Sequence, residues 1–193
     1  MTQQIVLAST SPYRKALLTR LGLPFATARP DVDETPRARE NAWDLVHRLG
    51  EAKARAVAPQ FPGALIIGSD QAAVLDEAIL GKPGTHERAV DQLTRASGRS
   101  VVFYTSLCVL NTASGRCHVD IVPYEVFFRE LTPNQIEHYL RREQPYDCAG
   151  AFKAEGLGVA LFEKHVGDDP SALIGLPLMR LVTLLAREDI EVL

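Results

Sequence analysis

IVLASTSPYRKALLTRLG, residues 5–22, decides how the chain begins to fold. Ile5 to Ala8 is an apolar run of strand length, and Ser9, Thr10 and Ser11 follow as a polar turn. Pro12 suits the first position of a helix, where its missing N–H is no loss. Ala16, Leu17 and Leu21 recur at helical spacing until Gly22 ends the pattern. The reading is strand, turn, helix. The first amides of a helix lack internal partners and its dipole favours negative charge, so this turn is a ready anion site, with Arg14 one turn into the helix. Ordinary capping by Ser11, with Arg14 in solvent, accounts for the same residues equally well.

Outward from that opening, Asp31 to Glu34 form an acidic loop before a helix expected from about Asn41 to Ala58, with Trp43, Leu45, Leu49, Ala52 and Ala56 along one side. Leu65 to Gly68 reads as a second buried strand that ends at Ser69, Asp70 and Gln71, and Ala72 to Leu75 as a further extended segment. Thr85 to Ala96 is a third helix. Val101 to Leu110 and His118 to Phe128 form a hairpin closed by Asn111 to Gly115. Thr132 opens a further helix, with Pro133 in its first turn and Gln135 completing a capping box, and the helix stops before Pro145. Gly156 to Phe162 reads as a strand and Pro177 to Arg187 as a last helix. Strands mixed with helices, one hairpin among them, predict an α/β protein with a mixed sheet.

A chain of 193 residues, 46% hydrophobic and 23% charged, has the balance of an ordinary globular domain. Its net charge of −3 argues against a nucleic-acid partner, which calls for a basic stripe. Met1 to Gln4 carries no lysine or arginine and the apolar run after it is short, so neither a signal peptide nor a membrane partner is expected. Cys108, Cys117 and Cys148 are odd in number and none has metal-site spacing, so a reduced, cytoplasmic setting is the simpler expectation. The histidines also lack the spacing of a zinc helix and read as surface or packing residues.

Taken singly, the polar positions are ambiguous. Lys82 stands between Gly81 and Pro83, but Asp76 occupies the place of a Walker glycine and no serine or threonine follows the lysine. Gly156 and Gly158 lack the third glycine of a dinucleotide fingerprint. Asp70, at the end of an apolar strand, reads either as a turn cap or as a group placed for chemistry. Asp31, Asp33 and Glu34 read as a solvated acidic loop, and Lys53 as a solvated lysine among alanines.

In combination they are not ambiguous. LASTSPYRKALLTRLGLPF (residues 7–25), VDETP (32–36), IIGSDQ (66–71), GKP (81–83) and CAGAFKAEGLG (148–158) occur in the order and spacing of the Maf family of nucleotide pyrophosphatases, which the chain resembles along nearly its whole length. The resemblance implies a single domain over residues 1–193. Its fold would be of the Maf/ITPase-like α/β class, an elongated mixed β-sheet with flanking helices and two lobes around a cleft. It also implies a nucleoside triphosphate as substrate, cleavage between the α and β phosphates, a divalent metal cation (magnesium, or manganese) and a homodimer.

Carried over by position, the resemblance puts Ser9, Arg14, Glu34, Lys53 and Lys82 at the phosphate and metal site. Asp70 would be the catalytic base, and Glu34 and Asp70 the carboxylates available to the metal. Within the family the chain is most similar to the branch acting on 7-methylguanosine triphosphate. The pyrimidine branch has arginine, threonine and glutamine where Tyr13, Gln71 and Glu155 stand. Tyr13 could offer a π-face to the cationic methylated base, Glu155 could accept from the guanine N1 and amino donors, and Gln71 could bond base or sugar. A different triphosphate (dTTP, UTP or an unmodified purine) and a nucleotide-binding regulator of cell division are the competing expectations.

Overall fold

The computed structural model describes residues 3–193; Met1 and Thr2, part of the stretch read against a leader, lie outside it. Seven strands share one mixed sheet in the order β2-β1-β3-β5-β6-β7, with β4 paired to β3. These are β1 (Ile5–Ala8), β2 (Phe25–Ala28), β3 (Leu65–Leu75), β4 (Ala78–Leu80), β5 (Ser100–Asn111), β6 (Cys117–Phe128) and β7 (Phe162–Val166). The helices are α1 (Pro12–Thr19), α2 (Ala42–Val57), α3 (His86–Ala96), α4 (Pro133–Glu143), α5 (Pro170–Ile174) and α6 (Leu178–Ala186). β1 runs parallel to β2 and β3, whereas β3–β4 and β6–β7 are antiparallel, so the sheet is mixed as expected.

The chain divides into two compact units. The first holds Met1–Gln71, Thr105–Val122 and Asp169–Leu193. Its strands alternate in the way a sheet covered on both faces demands. Ile5, Leu7, Leu65, Ile67, Leu107 and Val109 pack on one face against Leu17 and Leu18 of α1 and Leu181, Leu184 and Leu185 of α6. Val6, Ala8, Ile66, Cys108 and Leu110 pack on the other against Ala54 and Val57 of α2. Each fully buried valine, leucine or isoleucine among them contributes roughly 1.5–3 kcal/mol over its exposed state.

Helix α2 lies unusually close to β3, because two glycines meet there. A Cβ on Gly68 would stand 2.2 Å from the carbonyl oxygen of Gly50, and one on Gly50 would stand 2.4 Å from Ser106 Oγ. The buried stripe of α2 is Ala42, Leu45, Val46, Leu49, Gly50, Lys53, Ala54 and Val57. It is rotated from the expected one: Trp43 is 45% exposed and Ala52 and Ala56 are only partly buried, while Lys53 faces inward.

The second unit holds Ala72–Tyr104 and Pro123–Asp168. Its core centres on Phe103, Phe128, Phe152 and Phe162, whose rings meet edge to face at centroid distances of 4.8–5.7 Å, the geometry the ring quadrupole favours. Thr132 and Gln135 form the expected capping box of α4. Gly156 to Leu161 departs from the expected strand. Lys153 O accepts from both Gly156 N and Gly158 N, which curls the segment into a turn, and extended structure starts only at Phe162. The expected break in β3 is also absent, since the strand is continuous from Leu65 through Asp70 to Leu75. No helix among the described residues is long and apolar enough to cross a membrane.

Candidate active site

The polar end of the first unit is built from several segments of the chain. After β1, Ser9 is buried and its Oγ accepts from Ser11 N at 3.1 Å. Ser11 caps α1 by accepting from Arg14 N at 3.4 Å. Capping and an ordered arginine therefore coexist, because Arg14 does not stand in solvent: its Nε donates to Gly175 O at 2.8 Å. Burial draws the Arg14 guanidinium below its ordinary pKa, and attraction to Asp70 and then to Glu34 offsets part of that effect. The arginine thus shares a field with both carboxylates.

Lys53 is the hub of the cluster. Its Nζ donates to Asp70 Oδ1 at 2.6 Å and lies 2.8 Å from Glu34 Oε1. Lys53 and Asp70 are both buried, whereas the Glu34 side chain is 60% exposed. The reading of Lys53 as solvated is therefore corrected: a buried ammonium is tolerable only beside a counter-charge, and Asp70 supplies one. Asp70 is likewise no strand end or turn cap. It sits within β3, where its N–H donates to the buried Ser106 Oγ on β5 at 3.0 Å.

The loop that carries Glu34 is tied to α2 and is not a free acidic segment. Arg48 holds Glu40 through two bonds, Nε–Oε1 at 2.6 Å and an Nη–Oε2 contact at 2.7 Å, and also reaches Thr35 O at 3.2 Å. Asp33 Oδ1 accepts from Thr35 N at 2.9 Å, turning the chain just past Glu34.

Gln71 follows Asp70 on β3, and its amide nitrogen is committed within the unit. It donates toward Thr105 Oγ1 at 3.0 Å, Ala172 O at 2.8 Å and Leu173 O at 3.1 Å. Those bonds fix the orientation of the amide. Thr105 and Ser69 bond the same short helix, Thr105 to Ala172 O and Ser69 to Gly175 O, both at 2.9 Å. Thr105, Ser106, Ser69 and helix α5 were not legible as site components, since only the sheet register brings them beside Asp70. Tyr13 is partly buried in the first turn of α1.

Ser9, Arg14, Glu34, Lys53 and Asp70 thus lie together in the first unit. Lys82 and Glu155 belong to the second. Lys82 is exposed in a loop anchored by Gly84 N to Tyr146 O at 2.9 Å and by Gln92 Nε2 to Gly81 O at 3.0 Å. Glu155 is exposed in the turn that Lys153 O gathers, next to Leu157 N bound to Glu143 Oε2 at 2.8 Å.

No group of three or more histidine, cysteine or acidic residues capable of holding a metal occurs among the described residues. The pair Glu34 and Asp70 nevertheless suits magnesium. Two carboxylates converge on the one ammonium of Lys53, and magnesium binds through one or two carboxylates while keeping waters and substrate phosphates as its other ligands.

Comparison with known proteins points the same way. Residues 4–188 match the family described as Maf-like protein. A Nitrosococcus oceani protein named 7-methyl-GTP pyrophosphatase is 57% identical over 189 residues, covering 98% of this chain and 95% of its own. Proteins of the same name from Pseudomonas syringae pv. tomato and Pseudomonas aeruginosa are 58% and 56% identical over 188 residues, each covering 97% of this chain and 98% of the relative.

Proposed function

This chain belongs to the Maf family, and from that premise we propose that it hydrolyses 7-methyl-GTP to 7-methyl-GMP and diphosphate. The observation that carries the reading is near-full-length likeness, at more than half identity, to proteins bearing that name. The charged cluster of the first unit supports the chemistry, and Tyr13, Gln71 and Glu155 support the choice of base.

A triphosphate brings about four negative charges, which cationic groups must offset for the pyrophosphate to leave. Arg14 and Lys53 do this from fixed positions, and Lys82 keeps the phosphate-binding role that the resemblance implies. A water oxygen attacks the α-phosphorus, the bond from that phosphorus to the bridging oxygen breaks, and the water proton passes to Asp70. With Oδ1 engaged by Lys53, Oδ2 is the oxygen that takes it. Such a base contributes roughly a hundredfold to ten-thousandfold. Glu34 and Asp70 would hold a divalent cation, magnesium or manganese, which when bound supplies positive charge against the phosphate oxygens.

For the base, an N7-methylated guanine is cationic, and an aromatic face such as Tyr13 gains on the order of 0.5–2 kcal/mol on it. Gln71 offers an acceptor oxygen, and Glu155 keeps its assigned role of accepting from guanine donors. The enzyme works in the cytoplasm, where nucleotide pools need clearing of modified members.

The deciding measurement is pyrophosphate release with magnesium from 7-methyl-GTP, GTP, ATP, dTTP and UTP. The highest kcat/KM is expected for 7-methyl-GTP. Equal turnover of GTP, or preference for a pyrimidine, would sink the assignment of the base.

A further inference from the structure

Away from the charged cluster, two of the three cysteines stand side by side. Cys108 on β5 and Cys117 at the start of β6 flank the turn in which Asn111 N donates to Arg116 O, and their sulfurs are 3.6 Å apart. Neither is in a disulfide. The two differ sharply in setting. Cys108 is fully buried between the sheet and α2, beside Ala54 and Val57, whereas Cys117 is partly exposed on the rim of the same cluster.

The charges around the pair separate the sulfurs further. The Cys108 thiol, acting as donor, holds the Cys117 sulfur down to about 7, against opposition from burial and from Glu51, and with help from the Arg55 guanidinium on α2. Cys108 is pushed up by that same bond and by burial. Arg55 is paired to Glu51 at 2.7 Å, which keeps the guanidinium on this side of α2. The result is a reactive sulfur facing solvent and a protonated one behind it.

We propose that Cys108 and Cys117 form an oxidation site that takes a hydroperoxide, with Cys117 as the attacking sulfur and Cys108 as the resolving one. The Cys117 thiolate attacks the nearer peroxide oxygen. A sulfur–oxygen bond forms, the O–O bond breaks, and the departing oxygen leaves as water with a proton from solvent. Cys108 sulfur then attacks Cys117 sulfur. The S–S bond forms as the S–O bond breaks, and the Cys108 proton leaves with the hydroxyl as a second water. Two thiols lose two electrons in all, and hydrogen peroxide is reduced to two waters. The sulfurs must close from 3.6 Å to a bond of about 2.05 Å.

The experiment treats the whole protein with stoichiometric hydrogen peroxide near neutral pH and then titrates thiols and maps peptides. Free thiols are expected to fall from three per chain to one, with a linked Cys108–Cys117 peptide, loss of two hydrogens and full recovery on adding dithiothreitol. In Cys108→Ser, Cys117 is expected to stop at a sulfenic acid that dimedone traps. Oxygen addition at Cys117 of the parent without linkage, a disulfide through Cys148, or oxidation of Cys148 ahead of Cys117 would each overturn the proposal.

Discussion

Lys53 Nζ donates to Asp70 Oδ1 across 2.6 Å, and both side chains are withdrawn from solvent. A pair of this kind is a poor device for stability alone, because the cost of desolvating two ions is of the same size as their attraction. Its value lies in holding a carboxylate in one aimed position.

Asp70→Asn is expected to lower kcat by about a hundredfold to ten-thousandfold while the protein stays folded. The amide oxygen still accepts from Lys53, and Glu34 still lies beside it. Turnover and a thermal melt are measured together; full activity in a folded variant would remove Asp70 from the chemistry.

The two carboxylates around Lys53 should respond unequally to changes in charge. Lys53→Met leaves Asp70 buried with its ion-pair partner gone and is expected to cost about 3–5 kcal/mol of stability. Glu34→Gln, at a side chain 60% exposed, should cost no more than about 1 kcal/mol. Urea unfolding of both variants checks the contrast.

Gly68→Ala should damage the site without touching a charged group. Its Cβ would meet Gly50 O at 2.2 Å, so α2 must move off β3, carrying Lys53 with it. A loss of about 1–3 kcal/mol is expected from the overpacking, together with a drop in kcat larger than any change in KM.

Glu188 provides a pH signature. Its buried carboxylate accepts from Arg116 Nε at 3.0 Å, Asn111 Nδ2 at 2.5 Å and His118 Nε2 at 2.8 Å. The Arg116 guanidinium leads in holding its pKa down to about 2, from an ordinary 4.5. A depressed carboxylate contributes stability that is complete above pH 4.5 and is lost as pH falls toward about 2. The melting-temperature gap between the parent and Glu188→Gln should therefore be widest above pH 5 or so and close near pH 2; a constant gap would contradict it.

Tyr13→Arg and Glu155→Gln, made together, should shift preference from 7-methyl-GTP toward UTP and dTTP. Relative kcat/KM over the triphosphate panel reads this directly, and an unchanged ranking would mean that these side chains do not read the base.

What could be foreseen from sequence was what is encoded locally. The opening strand and helix, the Thr132 capping box and the paired strands β5 and β6 follow from residues within a few positions of one another. β2, β4 and α5 escaped because segments of 3–5 residues carry no readable periodicity. Lys53 and Asp70 were misread singly because each is buried only by virtue of the other, 17 residues away. The family resemblance, not periodicity, was what put them together. The hairpin of β5 and β6 brings Cys108 and Cys117 near one another, but their 3.6 Å sulfur separation depends on the strand register, which the spacing of residues does not give.

The cluster around Lys53 also bears on the order of events in solution. Arg14 and Lys53 are positive, Glu34 and Asp70 negative, so their formal charges sum to zero. An electroneutral cluster by itself exerts little long-range pull on a polyanion. A cation settling on the carboxylates tips that balance, and by thermodynamic reciprocity the nucleotide must raise the affinity for the cation by the same factor. Titrating one ligand at several fixed concentrations of the other should therefore give dissociation constants that fall together.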